Sequence, residues 1–211
     1  MEETLLPAGT SYAEVYARFR WHIPTTFNIG VDVCDRHADD PSRLAMIYED
    51  DTGQVSTHTF AEFRARSNQL AHALIRLGIT RGDRVGIILS QRPETAVAHL
   101  AAYKLGAIAL PLSTLFGPEA LDYRLRDAEA QVVVTDAESL DSVLGVRGVL
   151  PALRHVVCVD HADADGTHHW SASRKSNVAH PANRAGRRPA GTRELRTELQ
   201  RNHPRNLRAF S

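Results

Sequence analysis

The clearest pattern in the chain is a helical spacing of apolar residues between positions 59 and 78. The apolar side chains recur at the spacing that one face of a helix requires, with Ser67 as the one gap. They are Phe60, Phe63, Leu70, Leu74 and Leu77. Thr59 and Glu62 form a Thr-x-x-Glu capping box at the start, and Gly78 stands where a glycine commonly ends a helix. The pattern predicts a long amphipathic helix.

Continuous apolar runs alternate with further helical patterns in the sequence that follows. Such runs are typical of strands that are buried on both faces of a parallel sheet. The predicted strands are Val85 to Leu89, Ala107 to Leu112, Gln131 to Thr135 and His155 to Val159. Between them, helices are predicted at Pro93 to Leu105, Pro118 to Ala128 and Ala137 to Leu144. This alternation predicts an α/β fold, a mostly parallel sheet flanked by helices.

Shorter elements are predicted upstream of the long helix. Two short helices are expected at Tyr12 to Trp21 and Asn28 to His37. Leu44 to Tyr48 and Val55 to His58 read as strands, and the turn between them ends in Gly53, which can adopt a positive φ. These strands predict a small hairpin.

The helix over residues 93 to 105 is apolar on almost every side, which indicates that it is sandwiched inside a larger body. Its exception is Lys104. Because Lys104 lies near the C-terminal end, we expect its side chain to extend along the helix and bring its amine to solvent.

Parallel α/β sheets bind ligands beyond the carboxyl ends of their strands. The polar residues at those ends are Ser90-Gln91-Arg92, Ser113-Thr114, Asp136 and Asp160. This edge of the sheet is therefore the expected place for a binding site.

The charges divide the chain into two parts. The 25 basic and 25 acidic residues cancel overall, but residues 171–211 hold nine Arg and one Lys against two Glu, a net charge of +8, which leaves −8 for residues 1–170. The basic part has few large apolar residues and predicts a disordered tail with at most a frayed helix near 192–200. We expect an N-terminal subdomain at 1–160 and, at 161–211, an acidic and histidine-containing loop followed by this tail.

Two alternatives were weighed for the basic tail. A nucleic-acid-binding arm is disfavoured, because the tail has one aromatic residue and no stacking pattern. A reading-frame change is favoured, because codons for Asn206-Leu207-Arg208-Ala209 can encode Pro-Lys-Gly in a shifted frame. The nucleotide sequence of the gene tests this hypothesis.

The sequence predicts a soluble, cytoplasmic protein, because we find neither an export signal nor a membrane-spanning segment in it. Residues 1–3 begin no secretory signal, and the longest uncharged run has 14 residues, whereas a membrane span needs about 20. Cys34 and Cys158 lack CxxC spacing and are expected to be buried free thiols.

Candidate acid–base and metal-binding residues have plainer explanations as surface or packing residues. One cluster fits no strong zinc motif and reads as a solvated loop: Asp160, His161, Asp163, Asp165, His168 and His169. A second set is explained by helix ends and loops: Asp32, Asp35, Asp39 and Asp40. His72 and His99 lie within predicted helices, as packing or surface residues. The sequence has no Gly-x-Ser-x-Gly motif, which disfavours a serine hydrolase.

Several stretches in the same order resemble the N-terminal subdomain of the adenylate-forming acyl-CoA synthetases, especially the acetyl- and medium-chain type. They are Phe27-Asn28-Ile29-Gly30, Thr59-Phe60-Ala61-Glu62-Phe63, Gly82-Asp83-Arg84-Val85, Arg92-Pro93-Glu94, Ala102-Tyr103-Lys104-Leu105-Gly106-Ala107 and Leu121-Asp122-Tyr123-Arg124-Leu125. The resemblance implies a ligase reaction, in which a carboxylate and ATP give an acyl-adenylate and pyrophosphate, and coenzyme A then displaces AMP. It implies ATP, Mg²⁺ and coenzyme A as the partners of the intact enzyme.

The residues that carry this chemistry in the family have no counterpart in the chain. The sequence contains no Ser/Thr-Gly-Thr-Thr-Gly string, no Pro-Lys-Gly and no segment matching the domain that delivers the catalytic lysine. The resemblance therefore transfers no catalytic, cofactor-binding or metal-binding residue, and Ser113-Thr114-Leu115-Phe116 receives no coenzyme A contact.

Three hypotheses remain open from the sequence. The chain is expected to be a truncated N-terminal fragment of an acyl-CoA synthetase that is inactive alone. The alternatives are half of a split ligase, which needs the remainder of the synthetase as a separate chain, and a binding module. A membrane is not expected as a partner, and nucleic acid is disfavoured.

Overall fold

The computed structural model describes residues 6–21, 24–160 and 167–169, all within a compact unit that comprises residues 1–175. The helices are α1 (Tyr12–Arg18), α2 (Ile29–Val33), α3 (Phe60–Arg76), α4 (Pro93–Leu105), α5 (Pro118–Asp127) and α6 (Ala137–Arg147), with a 3₁₀ turn at Asp35–His37. The strands are β1 (Leu44–Glu49), β2 (Val55–Thr59), β3 (Arg84–Ile88), β4 (Ile108–Pro111), β5 (Val132–Thr135), β6 (His155–Cys158) and β7 (Thr167–His169). The predicted α/β architecture is confirmed.

The hairpin and the long helix begin and end as the sequence predicts. β1 and β2 pair antiparallel, with Ile47 opposite Thr57. The capping box at the start of α3 is complete: the Glu62 amide donates to Thr59 Oγ1 at 3.2 Å, and the Thr59 amide donates to Glu62 Oε2 at 3.0 Å. Gly78 follows α3 with φ 80°, a conformation that costs a glycine little.

A parallel sheet of five strands forms the centre of the described fold. The strands lie in the order β4-β3-β5-β6-β7, and β3 is flanked on one side by β4 and on the other by β5. One face of the sheet packs against α3 and α4, where Leu74 and Val97 are fully buried. The other face packs against α5 and α6, through Leu121 and Val143. The sheet is therefore covered on both sides, which explains its continuous apolar strands.

Helix α4 is sandwiched, as its composition predicts. None of its residues is exposed, and Val97, Ala98, Ala101 and Ala102 are fully buried against the sheet and α3. The helix ends at Gly106, whose φ is 67°.

The prediction of a buried strand at Ala107 to Leu112 is wrong for most of its length. Among the described residues, β4 is an edge strand: it pairs with β3 only, and its Ile108 is 54% exposed. An apolar run of this length fits either a central strand or an edge strand whose outer side is open, so the sequence pattern does not separate the two.

Other elements also differ from the prediction. Helix α1 ends at Arg18 and not at Trp21, and α6 continues past Leu144 to Arg147. The predicted helix at Asn28 to His37 is broken at Cys34, where φ and ψ of −130° and −62° separate α2 from the 3₁₀ turn. Strand β7 was not predicted: residues 167–169 pair parallel with β6, in a region that the sequence suggested was a loop. His161, Asp163, Asp165 and the basic tail lie outside the described residues.

No helix among the described residues is long and apolar enough to cross a membrane.

Candidate functional site at the carboxyl edge of the sheet

The order of the strands creates a crevice at the carboxyl ends of β3 and β5. These strands are neighbours, but β3 leads into α4 on one face of the sheet and β5 leads into α6 on the other. Adjacent strands whose connections leave in opposite directions open a crevice between them, where open α/β folds bind ligands. Ser90 follows β3 and Asp136 follows β5, so the predicted site residues flank this crevice.

The side chain of Asp136 fills the crevice. Its Oδ1 accepts a hydrogen bond of 2.9 Å from the Ser139 amide and so caps α6, while its Oδ2 accepts one of 3.3 Å from the Ser90 amide. Asp136 is only 2% exposed. The carboxylate therefore ties the end of β3 to the start of α6 and is buried by doing so.

Arg92 joins the ends of two strands through a bidentate ion pair. Its Nη1 lies 3.1 Å from Asp160 Oδ2 and its Nη2 lies 2.9 Å from Asp160 Oδ1, while its Nε donates to Glu94 Oε2 at 2.9 Å. Glu94 also accepts from Arg66 at 2.5 Å. The planar guanidinium suits two parallel bonds to one carboxylate, so this arrangement fixes direction as well as charge.

The charges in this network stabilise each other despite burial. Burial disfavours the ionised form of Glu94, but the hydrogen bonds and charges of Arg66 and then Arg92 outweigh it and hold the pKa of Glu94 below its ordinary value. Burial likewise disfavours charged Arg92, but the bonds to Asp160 and Glu94 outweigh it and raise the pKa of Arg92. Glu94 and Arg92 are therefore both charged at neutral pH.

The carboxyl-edge network, which we define as Arg66, Ser90, Arg92, Glu94, Asp136 and Asp160, does not fit the phosphates of ATP. Asp160 Oδ2 accepts from the Ala137 amide at 3.0 Å as well as from Arg92, so this amide at the start of α6 already has a carboxylate partner. A phosphate placed here would meet the carboxylates of Asp136 and Asp160. The network is built to fix loops, and we assign it no step of chemistry.

The loop after β4 stands apart from this network. Among the described residues, Ser113 makes local hydrogen bonds, in which its Oγ accepts from the Leu115 amide and its carbonyl from the Phe116 amide, at 3.2 Å each. Leu115 is 92% exposed, and Phe116 packs under the Arg124 guanidinium, 4.2 Å from the ring centre. The structure therefore brings Ser90, Arg92, Asp136 and Asp160 together but leaves Ser113 and Thr114 outside.

Lys104 corrects a second expectation. Its side chain is only 8% exposed, and its Nζ lies 2.6 Å from Asp35 Oδ1, 2.9 Å from Ser67 Oγ and 2.7 Å from Asn68 Oδ1. The expectation that this amine reaches solvent is wrong, because α2, the 3₁₀ turn and α3 cover the end of α4 and supply an anion and two polar oxygens. Lys104 is a structural ion pair between elements.

The remaining acidic residues near the start of the chain have local partners. Asp32 pairs with Arg36 at 2.5 Å, Asp39 with Arg64 at 3.4 Å, and Asp40 accepts from Ser42. Together with Asp35, these contacts support the interpretation as helix-end and loop charges. Within the described ranges, no group of three or more His, Cys, Asp or Glu residues is placed to hold a metal ion.

The histidines in helices and the two cysteines also behave as packing or surface residues. His72 is exposed, and His99 Nδ1 lies 2.8 Å from the Thr95 carbonyl oxygen. Cys34 and Cys158 are free and 1% and 0% exposed, as predicted, and burial raises the pKa of both thiols.

Sequence reasoning missed Glu94 and Arg66 as members of the network. The stretch Arg92-Pro93-Glu94 held a local signal, since charged residues two apart flank a proline at a helix start. Arg66 held none, because its pairing with Glu94 depends on how α3 lies against α4.

Comparison with known proteins places this fold in a family. Residues 34–206 match the family model described as AMP-binding enzyme, and this range extends past position 160 into the basic segment. An acetyl-coenzyme A synthetase of Bacillus subtilis is 36% identical over 169 residues, which cover 74% of this chain and 29% of that protein. The enzyme of the same name from Streptomyces coelicolor is 36% identical over 118 residues, which cover 55% of this chain and 18% of that protein.

Solved structures agree with the sequence relatives. An acyl-CoA synthetase of Brucella canis superposes with a TM-score of 0.67 at 25% identity, over 77% of this chain and 31% of that one. An anthranilate CoA ligase in complex with anthranoyl-AMP superposes with a TM-score of 0.62 at 29% identity, over 72% of this chain and 28% of that one. The chain spans less than a third of the length of these relatives. With its sheet and helices matching theirs, the chain belongs to the AMP-binding enzyme family of adenylate-forming ligases.

Proposed function

We propose that the chain forms the N-terminal subdomain of an ATP-dependent acid–thiol ligase that activates a short or medium-chain carboxylate, and that alone it does not catalyse the reaction. The observation that carries the proposal is the 36% identity over 169 residues to an acetyl-coenzyme A synthetase. The subdomain acts as a scaffold, and the groups that hold nucleotide and acyl substrate belong to sequence beyond it.

The carboxyl-edge network supports the role of a scaffold. Arg92, Asp136 and Asp160 fix the ends of β3, β5 and β6 relative to the start of α6, through bonds of 2.9 to 3.3 Å. In an α/β enzyme this edge faces the site, so loops fixed here give neighbouring parts of a ligase a firm base.

A chimera tests the scaffold proposal. The segment of the Bacillus subtilis acetyl-coenzyme A synthetase that aligns with residues 34–160 of this chain is replaced by those residues. We expect the chimera to retain acetate-dependent exchange of pyrophosphate into ATP, and we expect Arg92→Leu in the chimera to lower the exchange, because the bidentate pair to Asp160 is lost. His72→Ala, on the exposed side of α3, is the matched control.

A folded chimera that has lost all exchange would contradict the proposal, and so would equal losses in the Arg92→Leu and His72→Ala forms. The 211-residue chain is assayed beside it with ATP and acetate, butyrate or octanoate. Exchange catalysed by the chain alone would contradict the claim that it needs further sequence.

A split ligase is the second candidate, in which the remainder of the synthetase is a separate chain. Co-expression with the polypeptide encoded downstream, followed by the same exchange assay, distinguishes it: activity that requires both chains favours this arrangement. The third candidate, a nucleic-acid-binding module, predicts salt-sensitive retention on DNA or RNA that disappears when residues 171–211 are removed.

We also propose that the protein works in the cytoplasm. Two free, buried thiols support this location, because exported proteins tend to hold their cysteines in disulfides.

A further inference from the structure

Two histidines meet at the outer strands of the parallel sheet. His155 begins β6, and His168 lies in β7, where it is paired in register with Val157. His155 Nδ1 lies 3.2 Å from His168 Nε2, and the two ring centres are 5.3 Å apart. His155 is half-buried and His168 is exposed, so the pair is reached from solvent on one side.

We propose that His155 and His168 together bind one divalent transition-metal ion, such as Zn²⁺, Ni²⁺ or Cu²⁺, whose remaining coordination positions are open to water or a small ligand. Neither the ligase role nor the carboxyl-edge network uses these residues. The site is therefore independent of the proposed function.

The distance between the two nitrogens is the first support. An imidazole nitrogen binds Zn²⁺ at 2.0–2.1 Å, so two such ligands on one tetrahedral ion stand about 3.3–3.4 Å apart. The observed separation of 3.2 Å is close to this value, so binding requires the rings to turn toward a shared ion but not to move apart. Strand pairing holds both backbones, since β6 and β7 are hydrogen-bonded neighbours. The two ligands are thus largely in place before an ion arrives.

A backbone contact supports the position of the His155 ring. Besides the contact of its Nδ1 with His168, the ring makes a hydrogen bond with the Leu77 backbone, at the end of α3. Metal-binding histidines usually use their second nitrogen for a bond of this kind.

Two cations oppose binding and set its strength. Arg154 and Arg147 lie close enough for their charges to lower the pKa of His155, and the Arg147 guanidinium donates to the Arg154 carbonyl at 3.2 Å. A divalent cation is repelled by both. We therefore expect selectivity for ions that prefer imidazole, in the order Cu²⁺ above Ni²⁺ and Zn²⁺, and no binding of Mg²⁺, which prefers oxygen ligands.

The competing explanation is a plain hydrogen bond between two neutral rings, one donating and one accepting. That explanation predicts no metal affinity from the pair. A double-variant cycle separates the two, because two ligands of one ion are coupled and two independent residues are not.

The test is a calorimetric titration of the full 211-residue chain with Zn²⁺ at pH 7. Either His155→Gln or His168→Gln is expected to weaken the affinity of the chain for one Zn²⁺ ion by more than about tenfold. Removing even a residue that only hydrogen-bonds to a metal ligand lowers metal affinity by about 10–100-fold. The double variant should lose no more than either single one. His72→Gln, which alters an exposed histidine on α3, should leave the titration unchanged and so measures any background from other histidines.

Far-UV circular dichroism confirms that the variants are folded. Histidine-ring nitrogen resonances of the unaltered chain give a second measurement, in which one equivalent of Zn²⁺ should shift those of His155 and His168 together. The proposal is overturned if the unaltered chain binds no Zn²⁺, if both single variants bind as it does, if their losses add, or if the two rings shift independently.

Discussion

Arg92 is the residue on which the arrangement of the carboxyl edge depends. Its guanidinium engages Asp160 through both terminal nitrogens and Glu94 through Nε, and Glu94 is shared with Arg66. Removing one member leaves the others charged and partly buried. A buried ion that has lost its partner lowers the free energy of unfolding by more than the ion pair had raised it. A single substitution in the network is therefore more destabilising than replacement of the whole network by apolar residues.

Glu94 gives this network a dependence on pH. Its pKa is lower in the folded chain than in the unfolded chain, because Arg66 and Arg92 outweigh burial. The unfolded chain therefore binds the proton first as the pH falls. The stabilisation is complete above the unfolded pKa of about 4.3 and is lost as the pH falls through the lower, folded pKa.

We expect Glu94→Gln to lower the free energy of unfolding at pH 7 and to reduce its decline between about pH 5 and pH 3. Urea unfolding at pH 7, 5, 4 and 3 measures both effects. Glu119→Gln, at an exposed position in the first turn of α5, is the control. An unchanged decline with pH in Glu94→Gln would show that other carboxylates control the acid transition.

Residue-scale features were predictable where they depend on near neighbours in the sequence. The capping box of Thr59 and Glu62 was read directly, because its partners are three residues apart. Lys104 was misjudged because its partner Asp35 lies on a distant segment, and a lysine in an apolar helix fits both a solvent-directed and a paired side chain. At the carboxyl edge, the sequence pointed to Ser90, Arg92, Asp136 and Asp160 but also to Ser113 and Thr114, which lie outside the network, and it did not predict the bonds between them.

At the scale of elements, the approach of α2 to α4 depends on one glycine. A Cβ built on Gly30 would lie 2.7 Å from Lys104 Cγ and 3.2 Å from both the Leu100 carbonyl oxygen and the Lys104 amide nitrogen. The Asn28 side chain donates to the Lys104 carbonyl at 3.1 Å in the same place. The helices therefore pack backbone to backbone here.

We expect Gly30→Ala to destabilise the chain by about 1–3 kcal/mol, the usual cost of overpacking, since two of the three close atoms belong to the backbone. Gly145→Ala is the matched control, because no atom outside its helix lies within 4 Å of the added methyl. That change should be neutral or should stabilise α6 by up to about 1 kcal/mol. Thermal unfolding compares the two, and equal effects would contradict the packing argument.

Most elements were predictable because their patterns are long or sharply bounded. Helix α3 has a regular apolar stripe with a cap at each end, and β3 is a run between two polar turns. Strand β7 was not predictable, since Thr167–His169 is short and polar and owes its strand geometry to pairing with β6. The edge position of β4 was not predictable either, because the order of the strands depends on how distant segments pair in the sheet.

At the scale of the whole molecule, the side of β4 that faces away from β3 is open among the described residues. Ile108 on this strand is 54% exposed, and nearby along the chain Leu115 is 92% and Tyr123 67% exposed. An uncovered edge strand with apolar residues invites pairing with other chains.

We expect the purified chain to self-associate as its concentration rises, and Ile108→Lys to reduce this, because a charge on an edge strand opposes pairing. Light scattering coupled to size-exclusion chromatography measures the change. Ile75→Lys, at a similarly exposed position on α3, should have a smaller effect. A monodisperse monomer at all concentrations would contradict this prediction.

The place of β3 between β4 and β5 also sets the order in which the sheet can be built. Its register partners are Ile108 onward in β4 and Val132 onward in β5, both later in the chain. During synthesis, β3 leaves the ribosome before either neighbour exists and must wait with its hydrogen-bonding groups unpaired. Only when β5 and α6 have followed can both faces close, so the apolar run of β3 is the segment for which a nascent chain most needs protection by a chaperone.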